Sequence, residues 1–285
     1  MKDKHLYEAI LRRRSVRRYE AKRVDEATLN EVWSAIAAAK PLVPGNSFSA
    51  LLKDVGPGEN LAEAMGAYGR IITPPHYIVP YIEGNDQPLT DLGCRVEQIF
   101  VRLTALGLGG CFIGALGREE EIRARFDLPR GARIAAFLIF GYPSKAVAGR
   151  TVNRFMRLST GATNKLPSDK LFFNGSFDNP ASPPPDLVPL IEAARNAPSA
   201  VDAQPWRFLW KDDGLYLFVK MSNPKYGGGP RVDYRLYDGG ICLGNMLLAM
   251  EATGMDRKWA LLDANSINIP AHPENLEPLA VLPID

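Results

Sequence analysis

The sequence predicts an α+β protein made of two tandem related halves. Segments with helical periodicity alternate with short apolar runs typical of strands, and the longest apolar run, 134–140, is too short to cross a bilayer. A proline-rich run at 182–186 separates the halves, since consecutive prolines continue neither a helix nor a central strand. We therefore expect a first half over residues 1–180 and a second, shorter half over 181–285.

The first half begins with two helices joined by a basic turn. Apolar side chains of the first helix share one face, and Asp25 is a good N-cap for the second helix. The apolar stripe expected on that second helix consists of Leu29, Val32, Trp33 and Ile36. The elements expected after it are a strand at 77–82, a helix at 91–106 ended by Gly107, a charged helix at 118–126 and a buried strand at 134–140.

The second half repeats this order in a shorter form. Its expected elements are a helix at 187–196, a hairpin over 208–219 turning at Asp213 and Gly214, a helix at 238–253 ended by Gly254, and a strand at 258–262. Residues 89–108 align with residues 236–255 without a gap, which puts Asp91 and Asp238 at equivalent helix starts. Coincidence between two amphipathic helices is the alternative. The repeat favours a chain that folds as an intramolecular pseudo-dimer.

Composition and charge exclude several classes of protein. Lys and Arg total 34 against 32 Asp and Glu, so a net charge of +2 gives no global attraction to nucleic acid. The contents of 46% apolar and 23% charged residues are typical of a folded globular chain without membrane spans. The first residues carry charges on both sides of a short apolar stretch and no small-residue cleavage site, so we expect no signal peptide. Three cysteines without metal-ligand spacing indicate buried thiols in a reducing cytosol, so we expect a cytoplasmic protein without a metal site.

Two segments carry chemistry. Residues 13–17, Arg-Arg-Ser-Val-Arg, follow a helix and offer several guanidinium groups and a hydroxyl, which suits a phosphate, although solvated basic turns are also common. In residues 196–206, two prolines fix the backbone, small side chains leave a flat approach and Trp206 anchors the end. Such a wall suits a planar ring. The alternative is a plain helix stop followed by entry into a strand.

These two motifs together resemble the FMN-dependent nitroreductase family, and the internal repeat resembles its single-chain tandem branch. The resemblance extends over almost the whole chain. Residues 107–115 are similar to a glycine-rich turn of that family whose amides meet the flavin. The other similar segments are 68–70 followed by 74–77, Phe140 to Pro143, and Lys165 to Pro167. The resemblance implies a nitroreductase-like fold with antiparallel or mixed central sheets flanked by helices.

The resemblance also implies one composite flavin site per chain. Family members bind FMN between two subunits, with the arginine turn from one and the proline-serine wall from the other. In this chain the turn is present only in the first half and the wall only in the second, while residues 40–46 stand where a first-half wall belongs. We expect the composite site to survive and its pseudo-symmetric twin to be lost; structural drift is the alternative explanation of this pattern.

The resemblance gives each candidate residue an expected role. Arg13 or Arg14, with Lys165, would hold the phosphate; Ser15 and Arg17 would reach the ribityl chain or pyrimidine edge. Arg70 would supply charge near N1 and O2 of the flavin, and backbone amides of Ile113 and Gly114 would contact the ring. The opposite side would be lined by Pro198, Ser199 and Ala200. Asp202 departs from the family, which often has Asn there, and Ala67 departs where larger relatives have an amide.

The implied activity is ping-pong electron transfer. Hydride would pass from NADH or NADPH to flavin N5 and then to a nitroaromatic, quinone or flavin acceptor, with no catalytic side-chain acid or base. We expect His5, His76 and His272 to be structural or solvent-facing, and Gly227–Gly229 to form a lid or a plain connection. The alternatives to the enzyme are a non-catalytic FMN-binding or sensing protein and a flavin-less pseudoenzyme. Because a pseudo-dimer already buries the family's interface, we expect a monomer.

Overall fold

The computed structural model of the chain describes residues 2–56, 59, 61–145, 165–212, 214–221, 233–263, 266 and 268–284. Asp213, at the expected hairpin turn, and Gly227–Gly229, the expected lid or connection, lie outside these residues. Helices and strands alternate along both halves, which confirms the α+β class. None of the described helices combines the length and apolar character needed to cross a membrane.

The first half carries a four-stranded antiparallel sheet. The strands run in the order β1-β2-β4-β3. The elements of this half are α1 (Lys2–Arg12), α2 (Glu26–Ala37), β1 (Ser47–Asp54), α3 (Leu61–Met65), α4 (Tyr68–Ile71), β2 (His76–Glu83), α5 (Pro88–Ala105), β3 (Gly109–Gly114), α6 (Glu119–Phe126) and β4 (Ala136–Gly141).

The second half carries a five-stranded sheet in the order β5-β6-β7-β9-β8. Its elements are β5 (Phe172–Asn174), α7 (Val188–Asn196), β6 (Trp206–Lys211), β7 (Gly214–Lys220), α8 (Arg235–Thr253), β8 (Ala260–Leu261) and β9 (Leu276–Pro283). The strands β6-β7-β9-β8 pair antiparallel and repeat the order of the first sheet, whereas β5 adds to the edge in parallel with β6. The two halves therefore share one topology. The boundary at residue 180 stays a prediction. One strand of the second sheet, β5, lies before that residue in the chain.

The two long helices α5 and α8 form the centre of the molecule and are buried on almost every side. Their closest approach is symmetric. A Cβ atom on Gly93 of α5 would lie 2.2 Å from the carbonyl oxygen of Tyr237, and one on Gly240 of α8 would lie 2.0 Å from that of Thr90. In the sequence repeat, Gly93 corresponds to Gly240 and Thr90 to Tyr237. The same residue pair thus builds the crossing twice, as in an interface between two copies of one subunit.

Polar side chains on the same two helices fix the surface helices of each half. Gln98 of α5 accepts a hydrogen bond from the backbone N–H of Lys40 (3.0 Å) and donates one to the Lys40 carbonyl (2.9 Å). Asn245, which corresponds to Gln98 in the repeat, donates to the carbonyl of Ala193 in α7 (3.0 Å). Both side chains are fully buried, and hydrogen bonds in this low-dielectric interior hold the surface segments in fixed positions.

Three sequence expectations about local structure have clear outcomes. Asp25 is the N-cap of α2 and accepts a hydrogen bond from the N–H of Thr28 at 3.0 Å, as expected. In the apolar stripe expected on α2, Val32 is buried as predicted, but Trp33 is 46% exposed, and Ala35 is the other buried residue of the helix. Residues 107–115 were expected to form a turn, yet 109–114 form β3, because pairing with β4 overrides the turn preference of the glycines.

Candidate functional site

The arginine turn after α1 lies along the edge of the first sheet. Ser15 bridges Gly110 of β3, and the N–H of Val16 donates to the Gly110 carbonyl at 2.7 Å. The hydroxyl of Tyr19 donates to the carbonyl of Val16 at 2.6 Å and closes the turn. Ser15 and Arg17 also hydrogen-bond the buried thiol of Cys111; burial raises the pKa of that thiol, and these two contacts act in the opposite direction. The turn is therefore held by backbone and side-chain contacts to β3.

Arg13 connects this turn to the second half of the chain. Its Nη2 donates to the carbonyl of Asn196, the last residue of α7, at 2.9 Å. Its Nε lies 3.3 Å from Oε1 of Glu97, and its guanidinium lies 5.1 Å from the centre of the Phe100 ring. Only 4% of Arg13 is exposed, and burial lowers the pKa of its guanidinium while Glu97 opposes the shift.

Lys165 reaches the same place from a different part of the sequence. Its Nζ donates to the carbonyl of Ala197 at 2.8 Å and lies 3.9 Å from Oδ1 of Asp202. Burial, reinforced by repulsion from Arg13, lowers the pKa of Lys165 to about 8. Arg13 and Lys165 thus donate to consecutive carbonyls at the end of α7, which brings two of the predicted phosphate ligands together.

Glu97 is the buried acid in this cluster, and sequence reasoning missed it. Its side chain is fully buried, and neither carboxyl oxygen accepts a hydrogen bond from the part of the chain that the structure describes. Burial raises the pKa of Glu97 to about 8, although Arg13 and Lys165 favour its charged form. Burial thus favours the neutral carboxyl, and a neutral Glu97 would leave the cluster with an excess of positive charge.

The predicted wall follows α7 directly and is fixed by α8. Both carboxylate oxygens of Asp238 lie 3.1 Å from the N–H of Ala200, and the Ser199 hydroxyl accepts from the N–H of Gln204 at 2.9 Å. Pro198, Ser199 and Ala200 are each partly exposed, and Trp206 is fully buried behind them. The backbone of the wall is thus held by hydrogen bonds, while the small side chains of Pro198, Ser199 and Ala200 stay accessible.

The remaining predicted residues are Arg14 in the arginine turn, Ile113 and Gly114 in β3, and Arg70 in α4. Arg14 is exposed and donates to the carbonyls of Leu11 and Arg13 (2.8 and 2.7 Å). Ile113 and Gly114 end β3. Arg70 is exposed on α4, and among the described residues it has no hydrogen bond or ion pair to the other candidates.

Tyr234 is a second residue near the predicted site that sequence reasoning missed. Its hydroxyl accepts a hydrogen bond from the N–H of Leu116 at 3.2 Å. A Cβ atom on Gly114 would lie 2.3 Å from this oxygen, so only glycine leaves room for the hydroxyl. Burial raises the pKa of Tyr234 to about 12. The tyrosine therefore brings a neutral hydroxyl from the second half to the end of β3, next to the backbone amides singled out in the sequence.

The pseudo-symmetric position in the first half is filled by side chains. Asp91, which corresponds to Asp238, accepts from the N–H of Leu42 at 2.8 Å and from Asn46 Nδ2 at 3.3 Å. Arg95 contacts Asp91 through Nη2 at 3.2 Å and also donates to the carbonyl of Asn46. Both Asp91 and Asp238 thus anchor the segment that follows a surface helix, and Asp91 is also paired with Arg95.

The residues that the structure describes hold no cluster of metal ligands, and the buried His76 makes structural contacts. Within the described ranges, no group of three His, Cys, Asp or Glu side chains is arranged to hold a metal ion. His76 is buried, accepts from the N–H of Val24 at 3.1 Å through Nε2, and places Nδ1 2.8 Å from Asp54. This is a structural histidine with both ring nitrogens engaged.

A cavity of about 440 Å³ lies apart from the cluster. Its lining includes none of the predicted cofactor residues and mixes charged and apolar side chains: Leu89, Leu116, Gly117, Glu119, Glu120, Arg123, Arg133, Asp233, Arg235 and Leu236. Its arginines are engaged, for example Arg133 with Glu119 at 2.9 Å. The cavity is separate from the region where Arg13 and Lys165 meet.

Comparison with known proteins shows the family. A family model described as "Putative TM nitroreductase" matches residues 5–226, which is more than half of the chain. A similar solved structure is a protein described as a "putative nitroreductase" from Thermotoga maritima, with 19% identity and a TM-score of 0.57; the match covers 98% of this chain and 93% of that one. A search of curated proteins finds no match.

Two further similar structures match about half of the chain. An FMN-dependent nitroreductase from Clostridium difficile is 20% identical, with a TM-score of 0.41 over 48% of this chain and 87% of that one. Nitroreductase A from Vibrio parahaemolyticus is 20% identical, with a TM-score of 0.42 over 50% of this chain and 68% of that one.

The chain belongs to the nitroreductase family defined by that model, and it has the nitroreductase fold. This membership assigns it to the oxidoreductase enzymes of that type, which confirms the family and enzyme class expected from the sequence motifs.

Proposed function

We propose that this protein is an FMN-dependent NAD(P)H oxidoreductase with one flavin site, formed between the arginine turn of the first half and the wall at 196–206 of the second. The observation that supports the proposal most strongly is the meeting of Arg13 and Lys165 at the carbonyls of Asn196 and Ala197. These residues come from distant parts of the chain, and their contacts with neighbouring carbonyls at the start of the wall support a composite site.

The residues of this cluster fit a phosphate. Arg14 lowers the pKa of Arg13, and both arginines lower the pKa of Lys165, while burial favours the neutral form of the acid Glu97 that faces them. Nε and Nη1 of Arg13 donate no hydrogen bond within the described part of the chain. Unused donors and excess positive charge favour an anion with several acceptor oxygens.

Other residues are proposed to orient the rest of the cofactor. Ser15 and Arg17 would hold the ribityl chain or pyrimidine edge, and the backbone at Ile113 and Gly114 would face the ring. Pro198, Ser199 and Ala200 would line the opposite side, where small side chains leave a flat surface. Arg70 would supply positive charge near N1 and O2, which stabilises negative charge on the pyrimidine.

Bound FMN would supply the redox chemistry by accepting hydride from NADH or NADPH and reducing a nitroaromatic, quinone or flavin in a ping-pong cycle. The chain itself would bind, orient and shield the cofactor, with no side chain acting as an acid or base. The neutral Tyr234 hydroxyl beside Gly114 would narrow the approach to the ring from the second half.

We also propose that the two halves arose by tandem duplication and that the protein acts as a monomer in the cytoplasm. The symmetric crossing of α5 and α8 takes the place of a subunit interface. The free, buried thiols of Cys94, Cys111 and Cys242 are consistent with a reducing compartment. The Asp91–Arg95 pair occupies the twin position, so one flavin per chain is expected.

Purified protein tests the proposal directly. A yellow preparation, or saturable quenching of FMN fluorescence on titration, is expected, together with oxidation of NAD(P)H that depends on a nitroaromatic or quinone acceptor. FMN binding without any such turnover would favour the flavin sensor. A colourless protein that fails to bind added FMN would contradict the proposal and favour the flavin-less pseudoenzyme.

A further inference from the structure

Glu97 is a buried carboxyl at the centre of the cationic cluster to which the proposed function gives no role. Its Oε1 lies 3.3 Å from Arg13 Nε, without the geometry of a hydrogen bond, and the side chain is fully buried. An ionised carboxylate that is buried without hydrogen bonds is costly, so its neutral form is favoured. Burial therefore favours a protonated carboxyl next to the proposed phosphate ligands.

The groups that face Glu97 come from four parts of the chain. Arg13, with Arg14 beyond it, approaches from the arginine turn, and Lys165 approaches from the segment before the 3₁₀ turn Ser168–Lys170, with Asp202 at 3.9 Å on its far side. The uncharged or weakly acidic neighbours are Cys94 on α5 itself and Tyr237 and Cys242 on α8. Asp91 lies one helical turn beyond Cys94. The two nearby charges that act on Glu97 are thus both positive.

Lys165 titrates in the same range as Glu97. Burial and the neighbouring Arg13 lower the pKa of Lys165 to about 8, and burial raises that of Glu97 to about 8. A dianion placed against Arg13 and Lys165 would repel an ionised Glu97 and attract an ammonium on Lys165. Both effects favour the protonated forms, so binding of the dianion is linked to uptake of protons.

The second half has no counterpart of this acid. In the sequence repeat Glu97 corresponds to Gly244, and these two residues pack against each other: a Cβ atom on Gly244 would lie 3.1 Å from the Cβ of Glu97. The carboxyl is therefore a feature of one site only.

We propose that Glu97 is a specificity-determining residue of the phosphate site, which binds a phosphomonoester dianion with Lys165 as an ammonium and with Glu97, behind Arg13, as a neutral acid. The inference rests on the proposed function, because the phosphate of FMN is the dianion considered. Above the neutral range, one proton passes from solvent to Glu97 and one to Lys165 on binding, and both return to solvent on release. At high pH, Glu97 therefore lowers the affinity for flavins that carry the phosphate and not the affinity for flavins that lack it.

The pH dependence of FMN affinity tests the inference. Dissociation constants are measured by fluorescence titration from about pH 7.5 to about pH 9.5, where the phosphate is fully ionised, for wild type, Glu97→Gln and Glu251→Gln. Linkage predicts that the wild-type affinity falls with a slope approaching two decades per pH unit and that of Glu97→Gln with a slope of about one. Glu251→Gln is the matched control, because Glu251 is also a helix carboxylate next to a cation, Lys40, but lies outside the cluster.

Two ligand and buffer controls complete the experiment. Riboflavin has the same ring without phosphate, so its affinity should lack the steep slope. Calorimetry of wild type with FMN at about pH 8.5, in buffers of different ionisation enthalpy, should show uptake of more than about one proton per FMN; this measurement requires no variant to fold. Equal slopes for wild type and Glu97→Gln, a steep slope with riboflavin, or no proton uptake would overturn the inference while FMN binding stands. Absence of FMN binding at every pH would overturn the proposed function and this inference together.

Discussion

Replacing Lys165 with methionine separates anion binding from folding. The Lys165 ammonium donates to the Ala197 carbonyl at 2.8 Å, its side chain is 24% exposed, and burial with repulsion from Arg13 lowers its pKa to about 8. Methionine keeps most of the length and removes the charge. Loss of the hydrogen bond costs about 0.5–1.5 kcal/mol, and relief of the buried charge offsets part of this. We expect the free energy of unfolding to change by no more than about 1 kcal/mol.

The same substitution should weaken FMN binding strongly. A hydrogen bond from an ammonium to a phosphate contributes about 1.5–3 kcal/mol, which corresponds to roughly a 10–150-fold loss of affinity. Fluorescence titration at neutral pH measures this loss, and denaturant unfolding of the same samples measures stability. Lys170→Met is the control, because Lys170 is exposed and lies in the same segment. A folded Lys165→Met variant that binds FMN within about twofold of wild type would refute the assignment of Lys165 to the phosphate.

The remaining predictions concern the helix crossing, the buried acid and the two sides of the site. Gly240→Ala puts a methyl group 2.0 Å from the Thr90 carbonyl oxygen, so we expect thermal unfolding to show a loss of about 1–3 kcal/mol or more, whereas Gly45→Ala, with nothing within 4 Å, should change stability little. Burial raises the pKa of Glu97 to about 8, against 4.5 for a free glutamate, so its protonation contributes stability that is full below pH 4.5 and lost as the pH rises through about 8. Glu97→Gln should therefore raise the melting temperature relative to wild type at pH 9 and not at pH 4. The reverse pattern would contradict the burial argument. Arg13→Ala and Ser199→Trp should each lower FMN affinity although they lie in opposite halves, and unchanged affinity in both would argue against a composite site.

Local signals in the sequence predicted the elements that depend on neighbouring residues. The cap at Asp25, the helix that ends before Gly254 and the hairpin of β6 and β7 follow from side-chain capping, glycine stops and turn chemistry. The repeat also located the central helices, because Asp91 and Asp238 mark equivalent positions in both. The cap and the glycine stop act over a few residues and need no distant partner.

Features that depend on distant residues could not be predicted in the same way. The glycines of β3 favour a turn in isolation, and only pairing with β4 and the bridge from Ser15 makes them a strand. The contact between Arg13 and Glu97 joins residues that are far apart in sequence, and a glutamate inside an amphipathic helix gives no sign that it will be buried. Tyr234 was missed for the same reason, since its partner is the backbone near Gly114 in the other half.

A crystal structure of the protein with FMN tests the central claim most directly. The account predicts one flavin per chain, with its phosphate against Arg13 and Lys165 and its ring beside Pro198, Ser199 and Ala200, while the position of Asp91 and Arg95 stays closed. A flavin found at the Asp91 position, in the cavity beside Arg133 and Arg235, or at two places in one chain would contradict it.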